Sequence, residues 1–333
     1  MTDIKIRSEW CPQDAIIIGF PSHHSLWPGH LLASARQEVA SLCNAIASSQ
    51  TCYLMVANQA SEAAAKKLVS RDVDIILFDF GDIWFRDIAP IFSAASKQGA
   101  KQALRFRHNG WGKKYCYEHD DTVALRLCEH FNVDSTSFAF VLEGGALEHN
   151  GAGAILTTRQ CLLHKNRNGW SESKAEAELK NAFSAEKIYW LNQGLAFDHT
   201  DGHIDNIARF VGPSSVLIQT PNGVTDLNTP LYQQIESELK AQGLSCLKMP
   251  SPGRILDDDG EVMPASHLNY IISNELVIFP HYLKNGRADN KAIQHCTELL
   301  QQVFPSRTVL SLPSNALLTG GGSFHCISQH IPA

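Results

Sequence analysis

Four short segments carry residue types that could bind and transform a small molecule rather than merely pack. The first, Asp82-Ile83-Trp84-Phe85-Arg86-Asp87, puts two acids, an arginine and two aromatics just ahead of Pro90. It reads either as a solvated strand end with an Asp–Arg pair or as a binding wall. In the second case an aromatic face takes a flat cation and a carboxylate takes its N–H groups. Glu143-Gly144-Gly145 follows the apolar run 138–142. Paired glycines let the backbone turn sharply and come close to a neighbour, so this is a hairpin with an exposed Glu or an acid set at a strand's end. In Asp201-Gly202-His203-Ile204-Asp205-Asn206, a strand through Ile204 would put His203 and Asp205 on one face through its period of two. That gives an acid/base group beside an anchoring carboxylate; a polar strand entry with a hydrogen-bonded histidine is the plainer alternative. Last, Gly320-Gly321-Gly322-Ser323-Phe324-His325-Cys326 feeds three glycines into a short strand. Glycines weaken strands, so close approach of a ligand or backbone is the reason to expect them. The space they open singles out Cys326. On a strand His325 would point the opposite way, so it is not assigned as the base.

Other patterns carry less. His199 and His203 are four apart, but no third ligand is evident and the adjacent glycine argues against a helix, so no metal is assigned. The acids at 257–261 lack EF-hand spacing, and Gly151-Ala152-Gly153 lacks the third glycine of a dinucleotide fold.

The elements that must position these residues show in the periodicity. Apolar spacing predicts helices at 32–48, 61–70, 122–131, 171–183, 232–241 and 290–303. Short β-branched or aromatic runs predict strands at 15–20, 52–56, 73–78, 138–142, 154–158, 206–211, 216–219, 268–272, 276–280 and 307–310. The later helices recur every fifty to sixty residues or so, with strands in pairs between them, which favours a repeat-built α/β barrel or propeller over a doubly wound sheet. No linker divides the 333 residues, and one domain over 1–333 is expected.

Composition narrows the classes. Apolar residues at 44% and charged residues at 19% describe a globular chain. A net charge of −6 disfavours nucleic acid, which needs a basic face. Nine cysteines, none in C-x-x-C spacing, disfavour a disulfide framework or a zinc ribbon. The start carries Asp3, Lys5, Arg7, Glu9 and Asp14, and its apolar run 15–20 is too short for a leader or a span. A reducing, cytoplasmic setting without membrane contact is expected.

Taken together, these segments resemble the agmatine deiminase family, the bacterial-type peptidyl-arginine deiminase group of the guanidine-modifying (pentein) superfamily. The resemblance begins at Glu9-Trp10-x-Pro12 and Trp27-Pro28-Gly29. It runs through Trp84-Phe85-Arg86-Asp87, Asn109-Gly110-Trp111-Gly112-Lys113, Glu143-Gly144-Gly145 and Asn166-Arg167-Asn168. It ends with Gly202-His203-Ile204-Asp205-Asn206, Pro264-Ala265-Ser266 and the segment Gly320 to Gln329. It implies a fivefold pseudo-symmetric α/β propeller of ββαβ units with the site on the central axis. It also implies that Cys326 is the nucleophile, His203 the general acid/base, and Glu143 its partner. Asp87 and Asp205 would grip a substrate guanidinium, Trp84 would line the channel, and Asp82 would stand beside it. The chain departs from the family pattern at Ser323-Phe324, Ser328, His267 and Gly169, and 197–201 matches it only loosely.

The resemblance implies hydrolysis of agmatine to N-carbamoylputrescine and ammonia through a covalent thiouronium on Cys326, with no metal or organic cofactor. The partner expected is a small cationic guanidine, with a homodimer left open. Alternatives are a deiminase of free or peptidyl arginine, an amidinotransferase, or a non-catalytic propeller binding protein. Free arginine would require a cationic anchor for its carboxylate; agmatine would not.

Overall fold

The structure is a computed structural model that describes residues 6–94 and 101–333. Asp3 and Lys5 of the start, and part of the expected 1–333 domain, lie outside the described residues. Five sheets of three or four strands repeat one pattern, an antiparallel pair followed by a parallel pair. Parallel neighbours need a crossover, and each crossover is a helix. Ile91–Phe92, Gln102–Arg107 and Asp134–Val141 form one sheet, with helix Val123–His130 in the crossover. Leu147–His149, Ala154–Thr158 and Lys187–Leu191 form the next, with Glu172–Phe183. Ala208–Phe210, Ser215–Thr220 and Ser245–Pro250 follow, with Thr229–Ala241. Ile271–Ile272, Leu276–His281 and Thr308–Pro313 follow in turn, with Asn290–Val303. The remaining sheet joins the chain's two ends. The last strand, Ser328–Pro332, pairs antiparallel with Gln13–Gly19, which runs parallel to Thr51–Val56 and then Val73–Leu77.

The helices form where the apolar spacing requires them. Asn290–Val303 buries Ala292, Cys296 and Leu300, one stripe at four-residue intervals, against Tyr270, Phe279 and Val309. Asp289 caps it by accepting from the Ala292 N–H at 3.2 Å. Burying one such leucine is worth ~1.5–3 kcal/mol. Gln59–Leu68 starts at a capping box between Asn58 and Ser61.

All six expected helices form, with shifts at their ends. Among the longer strands, Gln102–Arg107, Lys187–Leu191, Ser245–Pro250 and Ser328–Pro332 are ones that the apolar runs do not predict; in Ser245–Pro250, an edge strand, exposed Ser245 and Lys248 hide the alternation. Residues Ile204–Asn206 form a 3₁₀ turn rather than a strand, so period-two alternation does not set His203 and Asp205. Cys326 also lies in a turn, just before Ser328–Pro332, and not on a strand.

The repeat places the chemistry. Ahead of the short first strand of each sheet lies a loop, turn or single helical turn. Asp87 precedes Ile91–Phe92, Glu143 precedes Leu147–His149, and His203 and Asp205 precede Ala208–Phe210. Asn269 precedes Ile271–Ile272, and Cys326 precedes Ser328–Pro332. These five places converge. Among the described residues no helix is long and apolar enough to cross a membrane.

Candidate active site

Asp87 sits in the single helical turn Phe85–Ile88, with both carboxylate oxygens occupied. Oδ1 accepts the Gly145 N–H at 2.9 Å and Oδ2 accepts the Trp111 Nε1–H at 2.8 Å. Trp111 reaches it because the chain turns through left-handed backbone at Trp111 (φ 50°) and Gly112 (φ 78°). The Asn109 side chain fixes that turn by accepting from the Gly112 N–H. Burial raises Asp87 to about 6; Asp205 and Glu143 add to the rise, while His203 and Trp111 oppose it.

Cys326 is organised by Asn269. The amide oxygen of Asn269 accepts the N–H groups of His325 and Cys326 at 3.0 and 3.2 Å. Its Nδ2 donates to Asn206 Oδ1 at 2.9 Å and lies 3.1 Å from Cys326 Sγ. The Sγ atom is 3.6 Å from Asp205 Oδ2. Burial first, then the charges of Asp205 and Asp87, push the thiol well above its ordinary value against the Asn269 hydrogen bond. Without a cation in place, the site keeps the sulfur protonated.

His203 is fully buried, and among the described residues neither ring nitrogen has a hydrogen-bond partner. Nδ1 is 3.8 Å from Asp87 Oδ2 and Nε2 is 3.8 Å from Glu143 Oε2. Burial pulls the imidazole down, but Asp87, Cys161 and Glu143 outweigh it and hold it well above its ordinary value. Glu143 is itself held at about 2, because His203 and Arg167 overcome its burial. Arg167 Nε donates to both oxygens, at 3.0 and 3.3 Å. Asp205 Oδ1 is a third buried atom without a partner. Unpaired buried polar atoms cost free energy, and here His203 and Asp205 both crowd Gly145, His203 Nδ1 standing 2.6 Å and Asp205 Oδ2 3.2 Å from a Cβ built there.

The Glu143, Cys161 and His203 donor atoms lie within 4.8 Å of one another. The Arg167 guanidinium already covers Glu143 there and supplies positive charge, which disfavours a dication.

A narrow cavity of about 80 Å³ opens onto this cluster. Of the expected residues, Asp82, Trp84, Asp87 and Cys326 form its walls, while His203, Asp205 and Glu143 are buried outside that wall. Trp84 Nε1 donates to Asp82 Oδ2 at 2.8 Å, and burial raises Asp82 to about 6. The other walls come from Trp111, Tyr115, Tyr117, His199, Thr200, Gly320 and Gly321. Thus the loosely matching stretch 197–201 contributes two walls, whereas Gly169, His267, Ser323, Phe324 and Ser328 contribute none. The glycines do what close approach requires. A Cβ on Gly322 would stand 2.6 Å from the Trp84 ring and 3.1 Å from Cys326 Sγ. Sequence reasoning did not single out Asn269, Tyr115, Tyr117 or Cys161. Trp111 and Arg167 lie inside the motifs at 109–113 and 166–168, whose sequence alone points to no role for either.

The chain is similar to known proteins over nearly its whole length. The family model for Porphyromonas-type peptidyl-arginine deiminase matches residues 5–332. A protein of Vibrio parahaemolyticus named "Putative agmatine deiminase" is 30% identical, covering 98% of this chain and 96% of its own. Its counterpart in Pectobacterium atrosepticum is 31% identical, over 98% and 94%. The solved structure of C. jejuni agmatine deiminase with substrate bound has a TM-score of 0.89 at 26% identity, covering 99% of this chain and 96% of the other. The agmatine deiminase of Enterococcus faecalis gives 0.87 at 26%, with the same coverage. From the convergence of its loops to its match over nearly all of its length, the chain belongs to the Porphyromonas-type peptidyl-arginine deiminase family.

Proposed function

We propose that this protein hydrolyses agmatine to N-carbamoylputrescine and ammonia. The observation that carries the reading is the buried pair of Asp205, whose Oδ2 lies 3.6 Å from Cys326 Sγ and whose Oδ1 has no partner among the described residues, and His203, whose two ring nitrogens have none either. A guanidinium supplies what Asp205 Oδ1 lacks: a planar cation with N–H donors along its edges, gripped from two sides by Asp87 and Asp205. Among the described residues, no lysine or arginine lines the cavity, and Asp82 and Asp87 do. That favours a substrate with a cationic tail over free arginine, whose carboxylate needs a cationic anchor. The relatives named agmatine deiminase point the same way.

The chemistry follows from the charges. The guanidinium offsets the two carboxylates that hold the thiol protonated, so the thiolate forms as substrate arrives and the proton leaves to solvent. The thiolate attacks the guanidinium carbon and a C–S bond forms. The C–N bond then breaks as His203, an imidazolium, protonates the departing ammonia. The neutral imidazole takes a proton from water as that water attacks the S-alkylthiouronium carbon. The C–S bond breaks, giving N-carbamoylputrescine and the free sulfur. A positioned acid/base contributes roughly 10²–10⁴-fold, and Glu143 favours the charged imidazole for the first half.

We read the five repeated sheets as a fivefold propeller of ββαβ units forming one catalytic domain over 1–333. What supports this is the recurring antiparallel-then-parallel order and the joining of the two chain ends in one sheet. A cytoplasmic enzyme working on a small free guanidine is the setting that fits.

The test is an ammonia-release screen over agmatine, free arginine and a blocked arginine peptide, with Cys326→Ala alongside. Release from agmatine with N-carbamoylputrescine as co-product, lost in Cys326→Ala, is expected. Faster turnover of arginine or the peptide would overturn the substrate, and turnover surviving in Cys326→Ala would overturn the mechanism.

A further inference from the structure

We propose that His325 is a positioning residue for Asp205, and that Glu9, reaching in from the start of the chain, holds His325 in that role. The proposal rests on the reading of Asp205 as a guanidinium-gripping carboxylate. His325 adjoins Cys326 in sequence, yet it is not a wall of the cavity. It lies between two carboxylates instead. Nδ1 is 2.8 Å from Asp205 Oδ2 and Nε2 is 2.9 Å from Glu9 Oε1.

A neutral imidazole donates from one nitrogen only, and an ionised carboxylate donates from none. The two short bonds tie the imidazole to a carboxylate at each of its nitrogens. Both acids stay ionised despite burial, which pushes each of them up. His325 and neighbouring positive charges bring Asp205 below the ordinary carboxylate range, and His325, Arg86, His330 and Arg209 bring Glu9 well below it. Glu9 Oε1 is 2.9 Å from Arg86 Nη1, and Oε2 accepts from Arg209 Nη2 at 2.6 Å. Arg209 Nε also donates to Glu148 at 3.0 Å. Arg86, Arg209 and His325 thus face Glu9, Asp205 and Glu148, the last raised to about 7 by burial against the opposing charge of Arg209. Such a buried network is tolerable because it closes.

The consequence lies at Asp205. Its Oδ2 is committed to His325, and its Oδ1 has no partner. The strap fixes the plane of the carboxylate and leaves one oxygen free for a ligand, as preorganisation requires. Asn269 holds the strap and the nucleophile together, since its oxygen accepts both the His325 and the Cys326 N–H.

The test uses the full chain with His325→Gln, His325→Asn and Glu9→Gln, and two readouts. The first is ammonia release against agmatine concentration. The second needs no turnover: protection of Cys326 from iodoacetamide by the guanidinium ion. An asparagine amide reaches roughly where Nδ1 stands and can still donate to Asp205; a glutamine amide reaches roughly where Nε2 stands and cannot. His325→Gln is expected to raise both KM and the guanidinium concentration that protects by about tenfold or more, the loss of one charge-assisted bond, with a smaller fall in kcat. His325→Asn should recover to within about threefold of the parent, and Glu9→Gln should fall between them. Parent-like KM and protection in His325→Gln would overturn the proposal. So would equal loss in the Gln and Asn variants tracking a fall in thermal stability, since a purely structural role predicts that. If the parent is protected by guanidinium but does not hydrolyse agmatine, the substrate reading falls, and the strap still stands or falls on the protection ratios. If guanidinium does not protect the parent, both fall.

Discussion

Asp205 Oδ2 lies 3.6 Å from Cys326 Sγ, so the carboxylate proposed to hold the substrate's cation also bears directly on the nucleophile. Its negative charge disfavours the thiolate until a cation arrives. Asp205→Asn should therefore act in opposite directions on two measurements. With the charge gone, Cys326 ionises more readily, and the free enzyme should react with iodoacetamide at neutral pH about three- to tenfold faster. Turnover of agmatine should fall by at least about a hundredfold, because one side of the grip is lost. Unchanged alkylation in the variant would show that burial, not the Asp205 charge, sets the thiol.

Asp87 governs the acid side of the pH profile. In the free enzyme it is raised to about 6, and the ionised form is the one that grips a guanidinium. A plot of kcat/KM, which reports groups of the free enzyme, should fall below an acid limb near that value. Trp111→Phe keeps the ring but removes the 2.8 Å bond that favours the carboxylate. Its acid limb should move to higher pH, and KM should rise about fivefold. An unmoved limb would assign it to another group.

The alkaline side belongs to His203, whose charged form is sustained by Asp87, Cys161 and Glu143 against burial. Glu143→Gln removes one of these supports, so the alkaline limb of the kcat/KM profile should shift to lower pH, and an unmoved limb would assign it to another group.

Arg167 and Glu143 make a buried ion pair, each side chain 1% exposed. Removing one partner strands the other charge. Arg167→Met should cost ~3–5 kcal/mol in denaturant unfolding at neutral pH. Glu143 titrates at about 2 in the fold, against about 4.3 for a free carboxyl. Its contribution is therefore complete above that ordinary value and is lost as pH falls towards 2. The stability gap between parent and variant should narrow over the same descent. A gap independent of pH would mean that Arg167 contributes packing, not charge.

What could be read in the sequence, and what could not, follows from the range of the interactions. Helices such as Asn290–Val303 announce themselves because one face repeats along a local stretch. Glu143, His203, Asp205 and Cys326 stand out in glycine-containing segments, and Asp87 in a run with a second acid, an arginine and two aromatics, while their roles come from the resemblance of the ordered motifs. Asn269 did not, because its meaning lies in a bond to a cysteine 57 positions away. Trp111 matters through Asp87, 24 positions off. The strand reasoning applied to His203 and Asp205 failed for a related reason. Ile204–Asn206 is a turn held by tertiary contacts, and no local alternation describes it.

Gly145 is where the convergence is tightest. Its N–H donates to Asp87 Oδ1, and a Cβ there would stand 2.6 Å from His203 Nδ1, 2.9 Å from Asp87 Oδ1 and 3.2 Å from Asp205 Oδ2. These atoms belong to three groups that must hold the guanidinium and move its protons. None is the far end of a long flexible side chain that could swing clear without loss of function. Gly145 does not have positive φ, so alanine meets no backbone strain there and the cost is steric. Gly145→Ala should therefore stay folded while its turnover of agmatine drops by about a hundredfold or more, the effect of displacing reacting groups by a fraction of an ångström to an ångström. Gly223→Ala supplies the contrast. Its φ is +94° with nothing within 4 Å of a built Cβ, so it should lose stability but keep kcat/KM. Equal activity in the two variants would mean that the space beside Gly145 is not where the reaction takes place.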